Sequence, residues 1–399
     1  MHIKLIVNSF PSASETFLFN LVTGLQAKGH RVSVCATSAS KHLDLYKSRM
    51  NEWSGEIDVM PFTHVGIQKW MGILSVLISH LNLFIQYSKR KGFKQGILHT
   101  LYDVYLSKNN PDIVHFAYSG IGVNFLEILP SLKHKRIKLI TSCRGSAEKV
   151  RPIVEPKRKQ ELSKLFEYCD GIHCVSLDML LGLKKYGLDE NKSFVNFPSV
   201  NVDYFKRDTQ YEVRKNTRIK LVTTGRLHFQ KGYVYALNAI KQVLDAGYDI
   251  EYKIIGDGPD LHMLQYMIHE LGLEKEVILT GKVSSTEVKK ILLESDIFIL
   301  PSLYEGIANA ALEAMALQLP LITTRSGGMA EVIENEVNGI IVERFDSNAI
   351  ANAIIKLIQN PSLRLAISEE SRKVIEEKFN IEYQLKIFEK NYLKLCSKD

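Results

Sequence analysis

Short apolar runs rich in β-branched residues alternate along the chain with stretches whose apolar positions recur every three to four residues. In the first half the runs are Ile3–Val7, Arg31–Cys35, Ile113–Phe116, Ile137–Thr141 and Gly171–Val175. In the second half they are Ile219–Thr224, Tyr252–Ile255, Val277–Thr280, Ile297–Leu300, Pro320–Thr323 and Gly339–Val342. Helical periodicity fills the intervals, as at Glu15–Lys28, Tyr233–Ala246, Leu261–Leu271, Ser285–Glu294 and Ala308–Ala316. This alternation predicts parallel sheets covered by helices, and two separate series predict two Rossmann-like domains.

The seam falls near Phe197–Thr217, where Pro198, Asn201, Asp203, Asp208 and clustered Lys and Arg interrupt the periodicity. The division expected is an N-terminal domain over 1–200, a C-terminal domain over 201–380 and a terminal helix over 381–399 that packs back on the first domain. The helical run Ile381–Cys396 supplies that helix.

Composition narrows the class. The 399 residues are 45% hydrophobic and 24% charged, with 24 Gly and 11 Pro, which fits two globular domains and excludes collagen-like, coiled-coil and disordered chains. The longest apolar stretch, Trp70–Ile85, is broken by Ser75, Ser79, His80 and Asn82 and is shorter than the roughly 20 residues of a membrane span. The start, Met1-His2-Ile3-Lys4-Leu5-Ile6-Val7-Asn8, lacks a signal peptide's long apolar region, so a cytoplasmic protein is expected. The five cysteines form no C-x-x-C pair, which supports neither a disulfide framework nor a zinc site.

Charge is uneven. Residues 1–200 hold 26 Lys and Arg against 16 Asp and Glu, whereas 201–399 hold 25 against 28. A first half at +10 points to an anionic partner such as phosphate or an acidic lipid surface, while no nucleic-acid-binding module accompanies the charge.

Missing motifs exclude several chemistries. The turn after the first run, Asn8-Ser9-Phe10-Pro11-Ser12-Ala13-Ser14-Glu15, has no glycine, and Leu261 occupies the third glycine's place after Gly256-Asp257-Gly258-Pro259. A nicotinamide or flavin enzyme is disfavoured, and the P-loop, H-E-x-x-H and Asp-x-Asp patterns are absent too. Ser12 and Glu15 match a capping box, and the same helix start also offers N–H groups to a phosphate.

Three motifs in the second half carry chemistry. Gly225-Arg226-Leu227-His228-Phe229-Gln230-Lys231-Gly232 follows a predicted strand and places two cations where α/β sheets bind ligands. Arg226 and Lys231 suit a diphosphate, one by forked hydrogen bonds and the other as a point charge. Glu305-Gly306-Ile307-Ala308-Asn309 leads to Glu313, about one and a half turns into the next helix, and two acceptor carboxylates can fix sugar hydroxyls. Ser326-Gly327-Gly328-Met329-Ala330-Glu331 repeats the strand, glycine turn and helix arrangement.

Together, Gly225-Arg226 with Lys231-Gly232, Ile254-Ile255-Gly256-Asp257-Gly258-Pro259, Glu305 with Glu313-Ala314-Met315-Ala316, and Gly327-Gly328 with Glu331 resemble the group 1 retaining glycosyltransferases, family 4. In the first half, Phe10-Pro11 with Ser14-Glu15-Thr16-Phe17 is similar to a first-loop pattern of exopolysaccharide-forming members, and Pro111-Asp112-Ile113-Val114-His115-Phe116 to a strand carrying a frequent His. The resemblance implies a GT-B fold, with two Rossmann-like domains facing each other across a cleft, and a part in capsule, lipopolysaccharide or related cell-surface polysaccharide synthesis. The donor is a nucleoside-diphosphate sugar used as co-substrate, with no cofactor and no metal.

The resemblance also implies roles. Arg226, Lys231 and Glu305 become catalytic, the cations meeting the diphosphate and Glu305 the transferred sugar. Gly225, Gly256, Gly306, Ile307, Ala308 and Asn309 line the donor, Glu313 takes the ribose, and Thr280, Gly281, Lys282 and Val283 frame the base. Ser12, Glu15, His115 and Arg144 are weaker acceptor or sugar candidates. Ser142-Cys143-Arg144-Gly145-Ser146 departs from the family's His-Gly, and Arg144 cannot serve as a base.

The implied reaction keeps the anomeric configuration and delivers the sugar to a saccharide or lipid-linked acceptor. Trp70–Ile85 followed by Lys89, Arg90, Lys91 and Lys94 reads either as an amphipathic segment on the inner face of an anionic membrane or as a core helix with a solvated basic end. A GT-B epimerase or phosphorylase and a non-catalytic sugar-nucleotide-binding module share much of the pattern and remain alternatives.

Overall fold

A computed structural model of the chain describes residues 1–11, 16–40, 53, 55–60, 66–209, 211–214 and 218–397. The chain divides into two compact units, Met1–Asn196 with Gln384–Asp399, and Phe197–Tyr383.

The first unit is built on seven parallel strands: β1 His2–Val7, β2 Arg31–Ala36, β3 Glu56–Val59, β4 Ile113–Phe116, β5 Lys138–Cys143, β6 Gly171–Cys174 and β7 Ser193–Val195. Their order is β3-β2-β1-β4-β5-β6-β7. The second unit has six, also all parallel: β8 Ile219–Thr224, β9 Ile250–Ile255, β10 Val277–Gly281, β11 Ile297–Leu300, β12 Leu321–Thr324 and β13 Ile340–Val342, in the order β10-β9-β8-β11-β12-β13. Both are doubly wound sheets in which the chain runs outward from a central strand and then crosses to its other side, the Rossmann order.

Alternation along each strand explains the double cover. On β11, Ile297 and Ile299 enter one buried cluster with Leu221, Tyr252 and Ile254, while Phe298 and Leu300 enter another with Val222, Ile255 and Leu321. Helices Tyr233–Asp245 and Ser347–Gln359 complete the first of these layers, and Asn309–Ala316 completes the second. A strand apolar on both sides needs helices on both faces, and this packing supplies them.

Strands β3 and β7 are additional to the sequence expectation. Glu56-Ile57-Asp58-Val59 and Ser193-Phe194-Val195 are short edge strands too polar to register as apolar runs. The segment Trp70–Ile85 is divided: helix Ile67–Ser79 ends at His80, and helix Leu81–Lys91 departs at 99° from it. Among the described residues no single helix is long and apolar enough to cross a membrane.

The closing helix, Ile381–Cys396, packs on the first unit. Phe388 lies edge-on to His173 at 4.8 Å, Tyr392 is fully buried, and Glu389 receives Lys28 at 2.9 Å and His30 at 3.0 Å. The glutamate's carboxyl is held below its usual range by those two partners, Lys28 first.

Candidate active site

The strand order of the second sheet reverses between β8 and β11, so the loops leaving their carboxyl ends turn to opposite faces and open a crevice there. The sequence motifs fall on these two loops, Gly225–Gly232 after β8 and Pro301–Ala308 after β11. Leu303 N–H donates to the Gln230 carbonyl at 2.7 Å, and Gln230 Nε2 donates to the Tyr304 carbonyl at 3.1 Å. Gly232, with φ of 65°, comes so close that an added Cβ would lie 2.0 Å from the Pro301 carbonyl oxygen, so only glycine fits.

The other loops on this edge are tied into the same frame. An added Cβ on Gly256, φ 149°, would lie 1.9 Å from the Gly225 carbonyl oxygen, and Gly256 N–H donates to Gly281 O at 3.0 Å. Gly328 N–H donates to Gly306 O at 2.8 Å, joining the β12 turn to the β11 loop. The glycines of the sequence motifs are therefore the points at which neighbouring backbones meet.

Within this frame Lys231 Nζ donates to Glu305 Oε1 at 2.5 Å, and Ser302 Oγ donates to the same oxygen at 2.8 Å. Glu305 is 8% exposed, so the carboxylate is fixed from one side. Its Oε2 has no hydrogen-bond partner among the described residues and stays available to a hydroxyl of a bound molecule. Ser302 was not among the sequence candidates. The Ser-x-x-Glu spacing from Ser302 to Glu305 is its signal, since three residues of a tight turn can bring a hydroxyl within reach of a carboxylate.

Arg226 is exposed and makes no hydrogen bond or ion pair among the described residues. Glu313 lies just over one turn into helix Asn309–Ala316. Its carboxyl has no partner among the described residues, and burial pushes it up to about 7. Lys231 and Glu305 thus meet directly, whereas Arg226 and Glu313 share the same sheet edge without contacting that pair. Thr280 and Gly281 end β10 at a register shift between Leu279 and Gly281, Lys282 and Val283 follow the strand, and Lys282 is exposed. Ile307 and Ala308 are buried, and Ala308 N–H points at the weak acceptor Met329 Sδ at 3.5 Å ahead of Asn309.

The first unit places its candidates differently. Ser12 and Glu15 lie outside the described residues. Arg144 follows β5, donates from Nε to the Ala117 carbonyl at 3.1 Å, and holds its guanidinium 4.3 Å from the Phe17 ring centre. The adjoining Gly145 N–H donates to Glu148 Oε2 at 2.9 Å, while Ser119 Oγ donates to Oε1. Burial raises the Glu148 carboxyl against the pull of those donors.

His115 is fully buried, with Nδ1 2.7 Å from Tyr392 Oη and Nε2 2.8 Å from Ser142 Oγ. Ser142 Oγ is 2.8 Å from His173 Nδ1, and His173 Nε2 is 2.8 Å from Asn196 O. A carbonyl can only accept, which fixes the direction of the whole chain: Tyr392 O–H to His115, His115 N–H to Ser142, Ser142 O–H to His173, and His173 N–H to Asn196. Both imidazoles are neutral in this arrangement. Burial lowers His115 to about 3 and His173 well below its ordinary value, with Arg144 adding to both.

Two doubly wound parallel sheets, the second with its cation and carboxylate pair at the reversal of strand order, define the GT-B class of glycosyltransferases. The comparisons with known proteins agree. Residues 14–204 match the model for glycosyltransferase family 4 and residues 205–374 that for glycosyl transferases group 1. The chain belongs to the group 1 glycosyltransferases. It is 27% identical over 398 residues to the amylovoran biosynthesis glycosyltransferase AmsK of Erwinia amylovora, covering 95% of this chain and 96% of that one. It is also 27% identical over 403 residues to the putative colanic acid biosynthesis glycosyltransferase WcaL of Escherichia coli, with the same coverage. Among solved structures, Anabaena Alr3699/HepE in complex with UDP-glucose superposes with a TM-score of 0.75 over 99% of this chain and 100% of that one, at 14% identity.

Proposed function

We propose that the protein is a retaining glycosyltransferase of cell-surface polysaccharide synthesis, taking a sugar from a nucleoside diphosphate to a hydroxyl of a saccharide or lipid-linked acceptor. The observation that carries this is the Lys231–Glu305 pair at the strand-order reversal, with one carboxylate oxygen unspent. The names of AmsK and WcaL, both polysaccharide biosynthesis glycosyltransferases, support the pathway class. HepE, which has been captured with UDP-glucose, makes a uridine nucleotide the first donor to try.

In this reading Arg226 and Lys231 hold the diphosphate and stabilise the charge it gains on leaving, so no metal is needed. Glu305 Oε2 accepts a hydroxyl of the transferred sugar, and Glu313 accepts from the ribose. Thr280–Val283 frame the base. The acceptor is taken by residues 1–200, whose +10 charge suits a pyrophosphate-bearing molecule, with Arg144 holding a phosphate or hydroxyl. A donor phosphate oxygen takes the acceptor proton on the face from which the leaving group departs, which preserves the anomeric configuration. The site of action is the cytoplasm, where nucleotide sugars are made.

A thermal-shift screen of nucleoside diphosphates and their sugars tests donor binding, because a ligand of the native state raises the melting temperature by mass action. Transfer with the selected donor, in chelator, is then followed by NMR of the product's anomeric proton. Failure of every nucleoside diphosphate to shift the melting temperature rejects the site, and an inverted product rejects the mechanism.

A further inference from the structure

We propose that the two helices Ile67–Ser79 and Leu81–Lys91 form a docking surface for an anionic lipid bilayer. The first helix has two apolar sides. Ile73 is buried against the domain, while Ile67, Trp70, Met71, Leu74 and Ile78 are 58–75% exposed. At about 100° per residue those five positions fall within an arc of roughly 100°, a continuous stripe facing solvent. The second helix and its exit add Leu81, Ile85 and Phe93, exposed by 54%, 41% and 70%. Soluble proteins seldom leave so many large apolar side chains together in water without a partner for them.

Charge identifies the partner. No Asp or Glu occurs between Asp58 and Asp103, whereas Lys89, Arg90, Lys91 and Lys94 all stand exposed at the end of the apolar stretch. Lys91 pairs with Glu127 at 3.0 Å, and Lys89, Arg90 and Lys94 make no ion pair among the described residues. A second copy of the chain seated on this face would bring two cation clusters together, while an anionic lipid surface attracts them. Geometry sets the depth. A 13-residue helix is about 20 Å long, less than the roughly 30 Å of a bilayer's hydrocarbon core, and the next helix leaves at 99°. The helices therefore lie in the interface with side chains at the acyl boundary. This surface is independent of sugar transfer, and its test needs no substrate.

The chain has two tryptophans, Trp70 on the stripe and Trp53, which is buried against Phe10. Trp53→Phe leaves Trp70 as the reporter. In the full chain its emission should move to the blue on adding phosphatidylcholine vesicles containing phosphatidylglycerol, with co-sedimentation, and far less with phosphatidylcholine alone. The triple variant Lys89→Gln/Arg90→Gln/Lys94→Gln should bind on the order of a hundredfold more weakly, about fivefold per charge. Leu74→Gln/Ile78→Gln should lose at least about a hundredfold, and both variants should keep the wild-type melting temperature because the side chains are exposed. Equal vesicle binding by wild type and both variants overturns the proposal, as does no binding at any composition. Dimers in lipid-free sedimentation velocity that Leu74→Gln/Ile78→Gln dissolves would assign the face to a second copy and overturn it too.

Discussion

Lys231 and Glu305, 74 residues apart in sequence, meet at 2.5 Å across the reversal of strand order in the second sheet. Arg226, on the same loop as Lys231, has no such partner among the described residues. The two cations should therefore answer differently to the same substitution.

Arg226→Ala should leave stability within about 0.5 kcal/mol, since the side chain is exposed and unpaired, while turnover falls on the order of a hundredfold or more. Lys231→Ala should lose turnover similarly and in addition cost about 2 kcal/mol, because Glu305 is left buried with only Ser302. Urea melts beside single-turnover assays separate the two. Equal destabilisation by both substitutions would contradict the assigned pairing.

Glu313 should make unliganded stability fall as pH rises. Its carboxyl has a folded value of about 7 against an ordinary 4.5, so the native state binds the extra proton between those limits and loses stability through that range. Glu313→Gln should flatten the profile and gain on the order of 2 kcal/mol at pH 8. If ribose hydroxyls donate to this carboxylate, nucleotide binding near pH 7 releases a proton, visible as a buffer-dependent calorimetric enthalpy. A buffer-independent enthalpy would remove Glu313 from the donor site.

Gly232→Ala should be among the most damaging small substitutions in the chain. It meets both a positive φ and a backbone oxygen that cannot retreat, so a loss of about 3 kcal/mol is expected in denaturant melts. A near-neutral result would mean that the β8 and β11 loops are not held as described.

The first unit should be acid-labile. His115 and His173 are neutral when folded and ordinary when unfolded, so the unfolded chain takes up more protons below about pH 6.5 and stability falls as pH drops towards 3. The limiting slope is about 1.4 kcal/mol per pH unit for each histidine. Equilibrium unfolding between pH 7 and 4 measures it, and a flat profile would show that the chain from Tyr392 to Asn196 is not formed.

Legibility in the sequence followed burial. β4, β8 and β11 are buried along nearly their whole length and mostly β-branched or apolar, and their observed limits coincide with Ile113–Phe116, Ile219–Thr224 and Ile297–Leu300. β3 and β7, the two end strands of the first sheet, are only partly buried, hold polar residues and give no comparable run. The resemblance to the group 1 glycosyltransferases implied one shared donor for Lys231 and Glu305, but their contact needs the fold, since sequence does not state which loop leans on which. The break at His80 was also invisible, because periodicity persists on both sides of a bend. The histidine chain was hidden for a related reason: its members lie on three neighbouring strands, just beyond β7, and on the closing helix, 277 residues after His115.

That last helix has a consequence for how the protein is made. Residues 384–397 complete the layer over His115 and His173, yet the ribosome delivers them only after the whole Phe197–Tyr383 unit has emerged. The unit begun first is thus finished second, and the part of its sheet that lies under this helix stays uncovered until the last residues emerge.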